Sequence, residues 1–170
     1  KDEQAYLFNE LFKNYGHVYI KKYKNNFYYM QVSLNDTFSF LIPKVDNIEE
    51  WILKNDNYFL AFLAGYSDAE ANIGVYSNRA RFRVRSYDRN LLYLVHKKLN
   101  EMKIKNTHRI DMPAGEKYNQ DFWGTEVNEV NSLLKLLSLL KPYIKHPKRY
   151  KDLINAEQNL ILRIRGKSND

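Results

Sequence analysis

The spacing of apolar positions changes period several times along the chain, and each change marks an element. Residues 2–15 carry Leu7, Phe8, Leu11 and Phe12 at helical spacing, with Gly16 as a stop. Residues 18–23, 27–34 and 37–42 are rich in β-branched and aromatic side chains. They are broken at Lys24-Asn25-Asn26 and Asn35-Asp36, which predicts three short strands. After Pro43 a short connecting helix is expected at 48–53, and Asn55-Asp56-Asn57 supplies a cap for an apolar helix from Tyr58 to about Ala71. Residues 72–76 and 80–87 predict a hairpin around Ser77-Asn78. A helix over 89–102 follows, capped by Asp88, with Leu91, Leu92, Val95 and Leu99 as its core stripe. The remainder predicts a strand over 103–110, a loop over 112–120, a strand over 121–125, and a very apolar helix over 127–140. Breaks at Pro142 and Pro147 lead to a last helix over 148–165 and a frayed tail at 167–170.

The helix that starts at Tyr58 ends in an unusual way. Ala61, Ala64, Gly65, Asp68 and Ala69 line it with small residues at spacings of three and four, which lets a second helix approach closely. Its last turn holds Asp68 and Glu70, where the negative pole of the macrodipole makes a carboxylate unfavourable by up to roughly 1 kcal/mol. A divalent cation bound by carboxylate and carbonyl oxygens would offset that cost. The plainer reading is a buried helix whose end happens to be acidic.

The strand after the turn carries Arg79, Arg81, Arg83 and Arg85 two apart, so they share one face, while Ala80, Phe82 and Val84 share the other. Four arginines on one face repel one another unless an anion covers them, and a polyanion fits better than a solvated edge. Lys103, Lys105, Thr107 and Arg109 are expected on one face of the next strand. From 79 to 109 there are ten basic residues against two acids, so the net charge of +7 is concentrated there.

Length and composition narrow the possibilities. A chain of 170 residues makes one domain, or one and a part. It has no cysteine, hence no disulfide framework and no thiolate chemistry. No apolar run approaches a membrane span, and no signal segment opens the chain. His17, His96, His108 and His146 do not cluster at ligand spacing, so a zinc site is not expected. Abundant Lys, Asn, Tyr, Ile and Phe suit an AT-rich coding sequence, compatible with an organelle, a low-GC bacterium or an archaeon; the expected setting is intracellular, prokaryotic cytoplasm or organelle. The chain opens on Lys1 rather than Met, as a fragment or processed form would.

Leu63-Ala64-Gly65-Tyr66-Ser67-Asp68-Ala69-Glu70-Ala71 resembles the LAGLIDADG motif of homing endonucleases and intron maturases. It matches at Leu, Ala, Gly, the first Asp and the following Ala, with Glu70 at the last acid. It departs at Tyr66 and Ser67, and at Ala71, where a glycine would free the helix exit. The resemblance implies an α+β fold: a LAGLIDADG half-domain of order αββαββα, whose antiparallel saddle-shaped sheet lies over DNA. Residues 58–170 would form that domain, 43–57 a linker, and 1–42 part of a preceding repeat.

It also implies an intron- or intein-encoded nuclease hydrolysing double-stranded DNA with Mg²⁺ or Mn²⁺. Glu70 and the main-chain carbonyl near Ala69 would hold the metal. Lys148, or failing that Lys145, would neutralise the transition state, and Asp68 would be a structural acid. DNA contacts would fall to Asn72, Gly74, Tyr76, Asn78, Arg79, Arg81, Arg83, Arg85, Lys103, Lys105, Arg109 and Lys117. The helix interface of Ala61, Ala64, Gly65 and Asp68 would meet a second motif helix, from a homodimer mate or an upstream segment. Two rivals remain at this level: a maturase-like or regulatory nucleic-acid binder that does not cut, favoured by the single motif, and a basic protein that packs RNA without specificity.

Overall fold

A computed structural model describes residues 2–41, 45–115 and 119–167. The chain divides into two compact units, Lys1–Val45 and Asp46–Asp170. The first holds α1 (Asp2–Phe12) and an antiparallel pair, β1 (Gly16–Lys22) and β2 (Tyr28–Leu34), with Gly16 opposite Leu34 and Lys22 opposite Tyr28. Where a third strand was expected at 37–42, residues Asp36–Leu41 form a 3-10 helix. Asn35 initiates it, its side-chain oxygen accepting from the N–H of Thr37 at 3.1 Å, which turns the chain instead of extending it.

The second unit runs α2 (Glu50–Lys54), α3 (Asp56–Glu70), β3 (Ala71–Tyr76), β4 (Arg79–Ser86), α4 (Arg89–Glu101), β5 (Thr107–Met112), β6 (Phe122–Val127), α5 (Val130–Leu140) and α6 (Pro147–Lys167). From α3 to α5 this is the αββαββα order, with α6 added. The four strands form one antiparallel sheet in the order β3-β4-β6-β5. Ser77 and Asn78, with φ of 47° and 58°, make the two-residue turn that the twist of a hairpin favours.

One face of the sheet is closed by helices. Ala71, Ile73, Ala80, Phe82, Val84 and Val127 are buried there, together with Phe59 and Leu63 of α3, Leu92, Val95 and Leu99 of α4, Leu133, Leu136 and Leu137 of α5, and Leu153 and Leu160 of α6. The period-two burial of β4 matches its sequence alternation.

Several boundaries differ from expectation for local reasons. Residues 46–57 are not a free linker: Ile48 is buried in the core, and Asp46 caps α4 through the N–H groups of Asn90 (2.9 Å) and Leu91 (2.7 Å). Asp88, expected as that cap, makes no capping bond and accepts instead from the hydroxyl of Ser86 at 2.7 Å. Lys103 has φ 56° and closes α4, with Ile104 N–H returning to the carbonyl of Leu99 at 2.9 Å. Lys103 and Lys105 therefore precede β5 and do not share its face. Val127 ends β6 instead of opening α5, because the Glu129 carboxylate caps α5 through Asn131 N–H (3.0 Å) and Ser132 N–H (2.7 Å). Pro147 begins α6, in the first helical position where its missing N–H costs nothing.

Candidate nucleic-acid interface

The acidic end of α3 passes into β3 without a loop. Asn55 caps the helix start through Asn57 and Tyr58 N–H. At the exit, Ala71 has φ −83° and ψ 156°, and its N–H reaches the Ser67 carbonyl. This is ordinary extended backbone, so no glycine is needed, and the Ala71 side chain is buried in the core. Tyr66, in place of an apolar residue, stacks on Phe62 at 6.0 Å and donates to Asp88 at 3.3 Å. Burial and the neighbouring Asp88 carboxylate push its hydroxyl up to about 12. Ser67 is fully buried, and its hydroxyl has no hydrogen-bond partner among the described residues.

The two motif acids have different surroundings. Asp68 is half-buried, and its Oδ2 accepts from the N–H groups of Lys145 (3.0 Å) and His146 (3.1 Å). It thereby ties the end of α3 to the chain entering α6. Glu70 is exposed, and among the described residues it makes no hydrogen bond or ion pair. Ala69 is exposed beside it. With Ser67 O taken by Ala71 N–H, the last carbonyls of α3 have no intrahelical donor. These are hard oxygen donors of the kind Mg²⁺ takes, and one carboxylate with a carbonyl suits an ion that keeps several waters. No group of three or more His, Cys, Asp or Glu placed to hold a metal ion exists among the described residues, so an ion held here would take its other ligands from elsewhere, such as water.

Lys148, in the first turn of α6, is exposed, with its ammonium 3.1 Å from Asp152. Together with Arg149, Asp152 and Asn155 it lines a cleft of about 340 Å³ whose other wall is Asn72 to Tyr76 of β3. Lys145 does not line this cleft.

The open face of the sheet follows from the register. Asn72, Gly74 and Tyr76 lie opposite Arg83, Arg81 and Arg79, and Arg83 and Arg85 lie opposite Glu126 and Gly124 of β6. Thr107 and Arg109 of β5 continue the face. Asn72, Tyr76, Arg81 and Arg83 enclose a hollow of about 180 Å³, with the Tyr76 hydroxyl on the Asn72 amide oxygen. Asn78 is less available, because its carbonyl and side-chain oxygens accept from Asn159 of α6. Lys117 lies outside the described residues.

The arginines are partly neutralised from within. Glu126 is 4% exposed, with Arg83 Nε at 2.5 Å, Arg109 Nη2 at 3.5 Å and the Asn128 amide at 3.0 Å. Burial works to raise its pKa, but the Asn128 hydrogen bond and the two guanidinium charges outweigh it, and the carboxyl titrates below the usual range. Arg85 Nε is 2.7 Å from Asp111, an ion pair whose alignment falls short of a hydrogen bond. Arg79 and Arg81 make no ion pair among the described residues. Sequence reasoning missed Glu126 and Asp111. The signal was present: strand alternation places Glu126 with Gly124, and Asp111 with Arg109, but the pairing of β4 with β6 had to be known first.

The chain matches no family model and no curated protein. Among solved structures it is similar to the homing endonuclease I-CvuI. In complex with the I-CreI target, that protein is 22% identical over 62% of this chain and 67% of its own, with a TM-score of 0.48. In complex with its Sro1.3 target in Ca, it is 21% identical over the same shares at the same TM-score.

The small-residue stripe of α3 splits in two. Ala64 is fully buried in the core and Asp68 is held by the segment that leads into α6, whereas Ala61, Gly65 and Ala69 are exposed. A Cβ added at Gly65 would meet nothing within 4 Å. Tyr58 and Trp51, 54% and 56% exposed with rings edge to face at 5.7 Å, extend this strip toward the start of the helix.

Proposed function

We propose that this chain is a site-specific double-stranded DNA endonuclease of the homing type that uses Mg²⁺ or Mn²⁺. The observation that carries the reading is Glu70: an exposed carboxylate with no protein partner among the described residues, at a helix end that disfavours it, two residues before the arginine-bearing face begins.

In this reading Glu70 and the Ala69 carbonyl hold the metal, which when bound activates water and steadies the charge on phosphorus and the leaving oxygen. Asp68 seats the start of α6, so that Lys148 faces the cleft beside β3 and neutralises charge on the phosphate. Arg79 and Arg81 reach base edges or phosphates together with Asn72 and Tyr76. Arg83, Arg85 and Arg109, each sharing an internal carboxylate, shape the face and contribute less net charge. Lys103 and Lys105 serve at most as peripheral phosphate contacts.

The exposed strip of Ala61, Gly65 and Ala69 pairs with a second motif helix, since cutting both strands takes two acidic helix ends. Selection of bound sequences from a randomised duplex library in Ca²⁺, followed by Mg²⁺, tests the assignment. The expected result is cleavage that Glu70→Gln abolishes while binding in Ca²⁺ survives; a cutting Glu70→Gln protein refutes it. A second reading, a binder that does not cut, is favoured by the single motif helix, since no group of three or more His, Cys, Asp or Glu placed to hold a metal ion occurs among the described residues. It predicts selection of a site with no cleavage in either metal.

A further inference from the structure

A separate group of ring side chains lies on the side of the sheet away from the arginines. His108 of β5 and Trp123 of β6 alternate with Arg109 and Gly124, and so project to the helix-covered side. Their rings stack at 5.1 Å and 13°. His96 of α4 stacks on His108 at 5.7 Å and 28°, and Tyr93 approaches both imidazoles, at 6.3 Å and 6.1 Å. The Arg89 guanidinium lies 4.8 Å from the Trp123 ring centre. Arg89, Asn90, Tyr93, His108 and Trp123 line a recess of about 470 Å³, and Tyr93 is 48% exposed at its mouth.

Hydrogen bonds hold the imidazoles in place. The Thr125 hydroxyl donates to the Leu92 carbonyl at 3.2 Å, so it accepts from His108 Nδ1 at 3.0 Å. The Asn106 amide N–H groups go to the Asn100 side chain (2.9 Å) and the Ile104 carbonyl (3.0 Å), and its oxygen accepts from His96 Nδ1 at 2.7 Å. Burial, and then the charges of His96 and Arg89, hold the His108 pKa below the ordinary histidine value, which favours a neutral π surface near neutral pH.

The rings pack on one another and yet leave a recess beside them, with Tyr93 exposed at its mouth and basic residues before and after Tyr93 on α4. Arg89, Tyr93 and Lys97 are four apart on one face of α4, and both basic residues are exposed. Asp46, which reaches this end of α4, is spent on the N–H groups of Asn90 and Leu91. An organic cation, the other common guest of aromatic boxes, is disfavoured because Arg89 already lies over Trp123.

We propose that this recess holds an unpaired nucleobase of a single-stranded nucleic acid, stacked on the exposed ring of Tyr93 beside the His108–Trp123 pair, with Arg89 and Lys97 on the flanking phosphates. The combination of an aromatic platform and basic neighbours is what sequence-tolerant binding of single strands requires. The site is distinct from the arginine face and stands whether or not that face cuts duplex DNA.

The chain has two tryptophans, Trp51 and Trp123, so Trp51→Phe leaves Trp123 as the only indole. In that background, hexa-adenylate at low salt should change Trp123 fluorescence saturably. Tyr93→Ala should weaken binding about 5- to 100-fold and Tyr93→Phe should preserve it. AMP should bind at least about tenfold more weakly, since it lacks the flanking phosphates. Duplex binding should be untouched by Tyr93→Ala and weakened by Arg81→Ala, and hexa-adenylate binding should respond the other way. No saturable change, a change indifferent to Tyr93→Ala, or AMP binding as tightly as the hexamer would each overturn the proposal.

Discussion

Replacing Glu126 by Gln should lower stability and raise affinity for DNA, a pair of opposite signs that few surface substitutions produce. Glu126 is 4% exposed and sits between Arg83 at 2.5 Å and Arg109 at 3.5 Å. At an effective dielectric near 20, such a pair attracts by about 4 kcal/mol. Taking the carboxylate from water offsets much of that, leaving about 1.5–3 kcal/mol, the usual worth of hydrogen bonds to a charged group. Gln keeps the shape and can still accept from Asn128, so the loss measures the charge, and the melting temperature should fall by roughly 3–10 °C. The pH dependence has a definite sign. The folded pKa is depressed, so the stabilisation is complete above the unfolded value, about 4.5, and is lost as pH falls through the folded pKa. Wild type and variant should therefore differ fully at pH 7 and converge in acid. On the open face, the freed guanidinium charge can neutralise about one more phosphate, steepening the salt slope by about 0.9. Affinity should then fall about threefold more than wild type between 50 and 200 mM salt. Thermal melts across pH and duplex anisotropy across salt check both halves. An unchanged melting temperature at pH 7, or weaker DNA binding at low salt, would refute the reasoning.

Gly65→Ala should stabilise the isolated chain by roughly 0.5–1 kcal/mol, because the new Cβ meets nothing within 4 Å and helix propensity improves. The same substitution should weaken pairing with a second motif helix, which sedimentation with and without DNA would register. Ser67→Ala should raise stability by about 1 kcal/mol, since it removes a buried hydroxyl that has no partner among the described residues, and a chemical melt would show it. Asp68→Ala strips the acceptor from two N–H groups ahead of α6 and should cost about 1–3 kcal/mol, read as a lower denaturation midpoint.

Much of this protein is legible in its sequence because its elements are set by local periodicity. The 3.6 spacing of α3 and α4, the alternation Arg79 to Arg85, the Ser77-Asn78 turn and the Asn55 cap all appear where nearest-neighbour chemistry puts them. The acidic end of α3 was legible too, since a carboxylate against the helix dipole stands out without any knowledge of the fold. What the sequence could not reveal is what faces what across the chain. Asp46 displaces Asp88 as the cap of α4 from 44 residues upstream of Asn90. Glu126 and Asp111 answer the arginines only because β6 lies between β4 and β5, an order that runs against sequence order. The small-residue stripe divides into a buried Ala64 and an exposed Gly65 because the core claims one side of α3 and leaves the other free. Local propensity depends on residues within a turn or two, whereas these pairings depend on contacts that loop closure brings together, and only the folded chain decides them.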